Sequence, residues 1–151
     1  MSLIEAINDL KKVTRNRVII INVKSSKYQK ELDKLGIKKI NLSIELSKLV
    51  DGLSDEEKKM EGADILKKYL EEENGEIIAL DNVSYSFSPE LGKINLVETL
   101  NYYSRDNQII ILLIDGKLSG NNLIYSSIEN KNYIEMDVSK NKYLLGWEDE
   151  D

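Results

Sequence analysis

The sequence predicts a three-layer α/β protein, with a mostly parallel sheet between layers of helices. Four short apolar segments alternate with longer segments of helical period. Strands buried on both faces have continuous apolar sequences, and strands that alternate with helices favour right-handed crossovers into one sheet. The 151 residues suffice for one domain with its own core, expected over 1–147, and an acidic tail at 148–151 that we expect to be disordered.

The composition excludes several classes of chemistry. The chain has no cysteine and no histidine, which removes disulfides, thiolate and ordinary zinc sites, and nucleophiles activated by histidine. Hydrophobic residues make up 41% and charged residues 32%, as in soluble globular proteins. No apolar run approaches the roughly 20 residues that cross a bilayer, and the first ten residues lack a basic leader region. We therefore expect a cytoplasmic protein without membrane contact.

The first third predicts a helix, a strand and a second helix. Residues 2–14 have helical period and begin with a capping box formed by Ser2 and Glu5. A strand is expected over Arg17–Val23 because its centre is continuously apolar. A turn and helix follow over Lys24–Leu35, and Gly36 is expected to end that helix.

The middle of the chain continues this alternation. A second strand is expected over Ile37–Leu42, with a short helix after it over Ser43–Val50. Ser54 and Glu57 form a second capping box, which begins the longest helix. The buried stripe of this helix is predicted to include Met60, Ala63, Leu66, Tyr69 and Leu70.

A third and a fourth strand follow, and the pattern then weakens. The third strand is expected over Glu76–Asp81 and the fourth over Ile109–Ile114. Between them, Ser88-Pro89 is typical of a helix start, and Asn95 and Glu98 begin a helix that runs to Tyr103. Residues 123–126 and 133–138 are expected to be short strands that form a C-terminal β-hairpin.

The carboxyl ends of these strands predict the candidate site. In open parallel sheets, ligands bind in the crevice at that edge. A lysine-bearing loop there, opposite an aspartate that ends another strand, is the arrangement of P-loop nucleotide-binding proteins, in which the lysine contacts phosphates and the aspartate holds Mg²⁺. The candidate phosphate-binding residues are Lys24, Ser25, Ser26 and Lys27; Asp81 is the candidate Mg²⁺ ligand, and Asn82 and Asp115 lie at the same edge.

The loop departs from the P-loop motif. That motif uses glycines so that its backbone can approach phosphate, whereas no glycine lies between Arg17 and Glu31. Placing Lys27 at the motif lysine puts Tyr28 where the Mg²⁺-binding hydroxyl belongs. One interpretation of the loop is therefore a degenerate Walker A. The alternative is an ordinary strand-to-helix turn, with Ser25 or Ser26 as the N-cap.

Asp81 and Arg105 each have two interpretations. Asp81 either holds Mg²⁺ or only begins a turn, and the residue after it is Asn82 instead of a water-activating glutamate. Arg105 either senses or stabilises a nucleotide phosphate, in its own or a neighbouring subunit, or it caps a helix or pairs with a carboxylate. No catalytic base stands out.

Charge is distributed unevenly along the chain. Residues 1–40 contain ten Lys or Arg and four Asp or Glu, a net charge of +6. Residues 41–151 contain eleven Lys or Arg and twenty-three Asp or Glu, a net charge of −12. Lys27, Lys30 and Lys34 recur at helical spacing, so they lie on one side of a helix. They form either a solvated helix face or a surface that binds phosphate or a nucleic-acid backbone.

Several short segments, in this order and spacing, resemble a known family. They span most of residues 17–139 and are Asn41 with Glu45-Leu46-Ser47, Leu80-Asp81-Asn82, Ser88-Pro89-Glu90-Leu91, Ser104-Arg105, and the Tyr125 to Tyr133 frame. Their arrangement resembles BrxF, the small P-loop-containing component of type three BREX phage-exclusion systems.

The resemblance implies a P-loop NTPase-like domain in antiviral defence. Its implied partners are a large ATPase, a DNA methyltransferase and a phosphatase-like protein, with DNA contact and oligomerisation as further expectations. The implied cofactors are ATP and Mg²⁺, held by Lys27 and Asp81, but the altered loop leaves the alternative of no cofactor. We expect a non-catalytic or weakly catalytic component; the alternatives are a slow Mg²⁺-dependent NTPase completed by a neighbouring subunit, or an anion- or nucleotide-sensing regulator.

Overall fold

The computed structural model describes residues 1–104 and 108–147. Its helices and strands alternate along the chain, as the sequence predicts. In chain order they are α1 (Leu3–Leu10), β1 (Val18–Asn22), α2 (Ser26–Leu35), β2 (Lys38–Asn41), α3 (Leu42–Val50), α4 (Asp55–Glu72), β3 (Ile77–Asp81), two 3₁₀ segments (Ser84–Phe87 and Pro89–Leu91), α5 (Leu96–Tyr103), β4 (Ile109–Ile114), β5 (Gly116–Ser119), β6 (Asn122–Tyr125), β7 (Ile134–Asp137) and β8 (Tyr143–Leu145).

Five strands form a parallel sheet in the order β2-β3-β4-β1-β8. Each neighbouring pair in this sheet is parallel, with Ile20 of β1 between Leu112 of β4 and Leu144 of β8. All six residues of β4 are buried, and the first four of β1 are buried as well. The expected α/β class with a mostly parallel sheet is confirmed. The physical basis is that these apolar runs need cover on both faces.

Alternating side chains divide the core into two clusters, one on each face of the sheet. Ile19 and Ile21 of β1 pack on one face with residues of α1 and α2. Val18 and Ile20 pack on the other face with residues of α3, α4, α5 and the 3₁₀ segments. Because successive strand side chains point to opposite faces, one apolar strand supplies both clusters and holds three layers together.

The predicted helix caps are confirmed. Ser2 with Glu5, and Ser54 with Glu57, form reciprocal capping boxes at the starts of α1 and α4. Gly36 ends α2 with φ +64°, a left-handed conformation that favours glycine.

The first helix is shorter than predicted. It ends at Leu10, and residues 11–14 leave the helical path, so the prediction that it continues to residue 14 is wrong. The Arg17 guanidinium donates a hydrogen bond from Nε to the Leu10 carbonyl at 3.3 Å. This contact gives the Leu10 carbonyl, which also accepts from the Val13 N–H at 3.2 Å, a second partner from the residue just before β1. A helical pattern in the sequence does not predict such a contact between separate elements.

The α4 helix departs from its predicted stripe at one position. Leu66 and Leu70 are fully buried, but Met60 is 74% exposed. The α4 surface near Met60 instead packs through Gly62, where an added Cβ would lie 2.8 Å from the carbonyl oxygen of Leu91. The 3₁₀ segment Pro89–Leu91 therefore approaches α4 at a glycine, and the contact surface is rotated away from Met60.

The C-terminal third contains the predicted hairpin and two further strands. The strands β6 and β7 pair antiparallel, with Leu123 opposite Met136, which confirms the hairpin, and β5 adds to it to make a three-stranded sheet. The last strand, β8, joins the large sheet beside β1. Since β8 has only three residues and lacks a long apolar run, its sequence carries no strand signal of the kind that identified β1 and β4.

The predicted acidic tail at 148–151 lies outside the described residues. Within the ranges that the structure describes, no helix has the length and apolar character needed to cross a bilayer.

Candidate functional site

The direction of the crossovers changes between two adjacent strands, β1 and β4. The chain leaves β1 for α2 on one face of the sheet, and it leaves β4 for the small antiparallel sheet, which packs on the other face. The loops therefore diverge at this point and open a crevice outside the carboxyl ends of the strands. The candidate site predicted from the sequence lies at this edge.

A cavity of about 200 Å³ lies at the carboxyl ends of β3 and β4. It brings together Asp81 and Asp115, two of the residues that the sequence predicts at the carboxyl ends of strands. Its lining residues are Val23, Asp81, Asn82, Val83, Ser84, Leu113, Ile114, Asp115 and Tyr125. The parallel order of β1, β3 and β4 places three strand ends at one edge, which is why residues far apart in sequence meet here.

Lys24 forms an ion pair with Asp115, one of the two carboxylates that line this cavity. Its Nζ is 3.4 Å from Oδ1 of Asp115, and the two side chains are 73% and 58% exposed. An ion pair this exposed contributes little to stability, because water and salt screen it. The lysine nevertheless neutralises one of the two carboxylates, so the cavity retains one negative charge from these three groups.

The turn between β1 and α2 consists of only three residues, Val23, Lys24 and Ser25. Their backbone N–H groups already have acceptors within the chain. Val23 donates to the Ile114 carbonyl at 3.1 Å, Lys24 to Oδ1 of Asn22 at 3.1 Å, and Ser25 to the Asn22 carbonyl at 2.9 Å. A phosphate-binding loop works by directing such N–H groups at the ligand. Here they instead close a tight turn.

Ser25 is the N-cap of α2, as one of the two interpretations of the turn predicted. Its Oγ accepts a hydrogen bond from the Tyr28 N–H at 3.5 Å, and the side chain is buried. Ser26 is the first helical residue and is exposed. The serine hydroxyl best placed for a ligand is therefore used to begin the helix.

The segment after β8 packs directly against this turn. Gly146 has φ +92°, and an added Cβ there would lie 2.8 Å from Cβ of Ser25 and 3.2 Å from Cβ of Asn22. The Asn22 side chain donates from Nδ2 to the Gly146 carbonyl at 3.1 Å. The backbone of the last strand thus lies where a phosphate-binding loop would need open space.

Asn22 organises the turn, and the sequence analysis missed it. Its side chain accepts from Lys24 and donates to Gly146, while its carbonyl accepts from Ser25. An asparagine that ends a strand and bonds to a backbone N–H two residues later is a known turn signal. That signal was present in the sequence, but the contact with Gly146 was not.

Lys27 is directed to the beginning of α1. Its Nζ lies 3.5 Å from the Met1 carbonyl oxygen and 4.8 Å from the centre of the Tyr28 ring. It is not among the residues that line the cavity with Asp81. Of the predicted lysines, Lys24 rather than Lys27 is beside the carboxylates.

Asp81 and Asn82 join the ends of β3 and β2. The Asp81 carboxylate accepts a hydrogen bond from the Asn82 N–H at 2.9 Å, and Asn82 has φ +48°. The Asn82 amide donates to Asn41 at 2.9 Å, and its carbonyl accepts from the Ser43 hydroxyl at 2.6 Å. Within residues 1–104 and 108–147, no group of three or more metal-ligating acidic side chains comes together.

Other segments that carry the family resemblance also have structural contacts. Asn41 is the N-cap of α3, and Ser88-Pro89 begins a 3₁₀ segment of three residues, where the sequence predicted the start of a helix. The Glu90 carboxylate accepts from the Tyr85 hydroxyl at 2.8 Å and lies 3.3 Å from Nζ of Lys58. These short motifs therefore connect the loops of this edge to α4.

The remaining predicted residues are Arg105, Lys30 and Lys34. Arg105 lies outside the described residues. Lys30 and Lys34 are exposed on α2, away from the cavity.

A second cavity, of about 360 Å³, lies beside α5. It contains none of the predicted site residues and has side chains of both charge signs. Its lining residues are Arg15, Asn16, Asn95, Glu98, Asn101, Tyr102, Asp137 and Lys140.

The geometry does not fit a triphosphate held in the usual P-loop manner. The turn is short, its N–H groups are bonded within the chain, and Gly146 covers it. The site offers instead a small cavity with two carboxylates and one lysine.

The partly buried Tyr85 makes the free energy of unfolding depend on pH in the alkaline range. Burial raises the pKa of Tyr85 to about 12, with a further contribution from its hydrogen bond to Glu90. Since the folded-state pKa exceeds the ordinary value, this stabilisation is complete below pH 10 and is lost as the pH rises towards 12. We expect the free energy of unfolding, measured with urea at pH 9, 10 and 11, to fall less steeply in Tyr85→Phe than in wild type. Equal slopes would contradict this expectation.

Comparison with known proteins gives no matching family model, no matching curated protein and no matching solved structure.

Proposed function

We propose that this chain is a non-hydrolysing, P-loop-fold component of a BREX-type phage-defence assembly. The observation that carries the absence of hydrolysis is the closed turn after β1, whose N–H groups are bonded within the chain. The defence role depends on the resemblance to BrxF. In this proposal the protein acts in the cytoplasm through partner proteins, namely the large ATPase, the methyltransferase and the phosphatase-like protein.

The sheet order supports a P-loop-like arrangement. A lysine-bearing turn follows β1, an aspartate ends β3, and β4 lies between these two strands. Asp81 and the Lys24–Asp115 pair lie at the same edge. P-loop nucleotide-binding proteins likewise combine a lysine-bearing phosphate loop with an aspartate that holds Mg²⁺.

The chemistry of the edge supports loss of hydrolysis. The residue after Asp81 is Asn82, whose amide is engaged with Asn41, and no histidine exists in the chain to act as a base. A slow NTPase completed by a neighbouring subunit would require that subunit to supply both the phosphate-binding donors and the base. The closed turn therefore favours a structural role for this edge.

A thermal-shift titration tests the absence of nucleotide binding. A ligand at 100 times its dissociation constant stabilises a protein by about 2.7 kcal/mol. We expect 5 mM Mg-ATP, roughly five times the upper end of ordinary KM values, to leave Tm unchanged in wild type, Lys24→Ala and Asp81→Ala alike. A rise of several degrees that Asp81→Ala abolishes would overturn the proposal.

A plating experiment tests the defence role. In a host that carries the partner genes, we expect deletion of this gene to remove protection against phage. Wild type and Asp81→Ala should both restore it, since the aspartate has a structural contact and no catalytic step. If protection does not depend on this gene, the protein has no role in defence. If the Asp81→Ala variant is expressed and folded but does not restore protection, the proposal that the protein is non-catalytic is wrong.

A further inference from the structure

We propose that the face of the molecule formed by α1, α2 and the residues directly after α1 binds the phosphate backbone of a nucleic acid. We call it the α1/α2 face. The inference does not depend on nucleotide binding at the sheet edge. It begins from the charge of residues 1–40, which is +6 in a chain of net charge −6.

The fold places part of this charge on one side of the sheet. Both α1 and α2 pack on the same face, where the Leu3 N–H donates to Glu31 at 2.8 Å and the Tyr28 hydroxyl donates to the Met1 carbonyl at 2.7 Å. The helices of the opposite face, α3, α4 and α5, all come from the acidic remainder of the chain. This face therefore carries the lysines of α2 and those directly after α1, whereas Lys24 and Lys38 pair with Asp115 and Glu73 elsewhere in the fold. A local concentration of cations attracts a polyanion even where the whole chain is acidic.

The carboxylates of residues 1–40 are directed to partners inside the chain. Glu5 accepts from the Ser2 N–H at 2.8 Å, Glu31 accepts from Leu3, and Asp9 accepts from the Tyr143 hydroxyl at 2.5 Å. Asp33 pairs with Lys39 at 3.4 Å. Their oxygens are thus held by internal donors.

Four lysines of this face form no ion pair with any described residue. They are Lys11, Lys12, Lys30 and Lys34, and all four are exposed. In contrast, Lys24, Lys38 and Lys39 each pair with a carboxylate, and the Lys27 ammonium lies at the Met1 carbonyl. The structure therefore shifts the expected contact surface from Lys27 to the lysines after α1 and along α2.

The spacing of these cations suits a polyanion better than a single anion. Lys30 and Lys34 lie one helical turn apart, at about 6 Å between Cβ atoms, and Lys11 and Lys12 belong to a neighbouring element. A nucleic-acid backbone presents a row of phosphates to such a surface, and binding releases condensed counterions. Four contacts predict a slope of log affinity against log salt of about −3.6.

Fluorescence anisotropy with a labelled duplex DNA tests the proposal. We expect wild type to bind at 50 mM salt and to lose about 150-fold in affinity at 200 mM, as that slope requires. The double variant Lys30→Glu/Lys34→Glu should weaken binding at least tenfold and reduce the slope by about 2, and Lys11→Glu/Lys12→Glu should behave alike. The matched control Lys59→Glu/Lys68→Glu changes the net charge equally on α4, and it should leave affinity within about twofold, because these charges lie on the opposite face.

The outcomes that overturn the proposal are distinct. Absence of binding at 50 mM salt would reject a nucleic-acid surface, and so would an equal loss of affinity in the α4 control. If polyglutamate competes as effectively as unlabelled DNA, the surface binds an acidic protein partner instead. Circular dichroism checks that each variant is folded. If Lys30→Glu/Lys34→Glu does not fold, the variant Lys30→Ala/Lys34→Ala replaces it. Since ATP is absent throughout, this test and the Mg-ATP titration succeed or fail separately.

Discussion

Gly146→Ala is expected to lower the free energy of unfolding by about 3 kcal/mol, as measured by urea denaturation. Two costs combine at this position. The backbone has φ +92°, which L-residues rarely adopt, and the new Cβ would lie 2.8 Å from Cβ of Ser25. The end of β8 or the turn after β1 must therefore move, and the hydrogen bond from Asn22 to Gly146 weakens with it.

Gly52→Ala is the matched control for this prediction. Gly52 has φ +89°, but no atom lies within 4 Å of an added Cβ. We expect this variant to lose only about 1 kcal/mol, the cost of backbone strain alone. If the two variants were equally destabilised, the packing of Gly146 on the turn would not contribute to stability, and Gly146 would not be what closes this turn to phosphate.

Leu66→Ala is expected to lower the free energy of unfolding by about 3 kcal/mol. Leu66 is fully buried in the core between α4 and the sheet. Truncation removes buried apolar surface and leaves a cavity, because the surrounding helices and strands relax only in part. Urea denaturation at neutral pH measures the change.

Met60→Ala on the same helix is the control for Leu66→Ala. The sequence predicted both residues in one buried stripe, but Met60 is 74% exposed. We therefore expect a change within about 0.5 kcal/mol. A loss comparable to that of Leu66→Ala would show that Met60 is buried and that the surface of α4 is misjudged.

The candidate site was only partly predictable, and the turn after β1 shows why. The sequence correctly predicted that the turn after β1 and the end of β4 lie at the same edge, where Lys24 pairs with Asp115. It also named Ser25 as one of two candidate N-caps of α2. The turn signal of Asn22 was present in the sequence and was missed, whereas its contact with Gly146 was not predictable because the two residues are 124 positions apart. Local patterns report what a residue does to its own neighbours in sequence, whereas this contact exists only once β8 pairs with β1.

The lysines of α2 give a second example. Helical spacing placed Lys27, Lys30 and Lys34 together, but the structure directs Lys27 to Met1 and brings Lys11 and Lys12 onto the same face. Spacing fixes the position of a side chain on its helix. The partner that the side chain meets depends on which element packs alongside.

The sequence by itself determined the α/β class, the strong strands β1 and β4, the helix caps and the uneven charge, because each depends on residues within a few positions of one another. Only the tertiary structure decided the addition of β8 to the sheet, the closure of the turn by Gly146, the exposure of Met60 and the packing of α1 and α2 on the same face of the sheet. The physical reason is that these features arise from contacts between distant segments, whose free energy appears only when the sheet order brings those segments together.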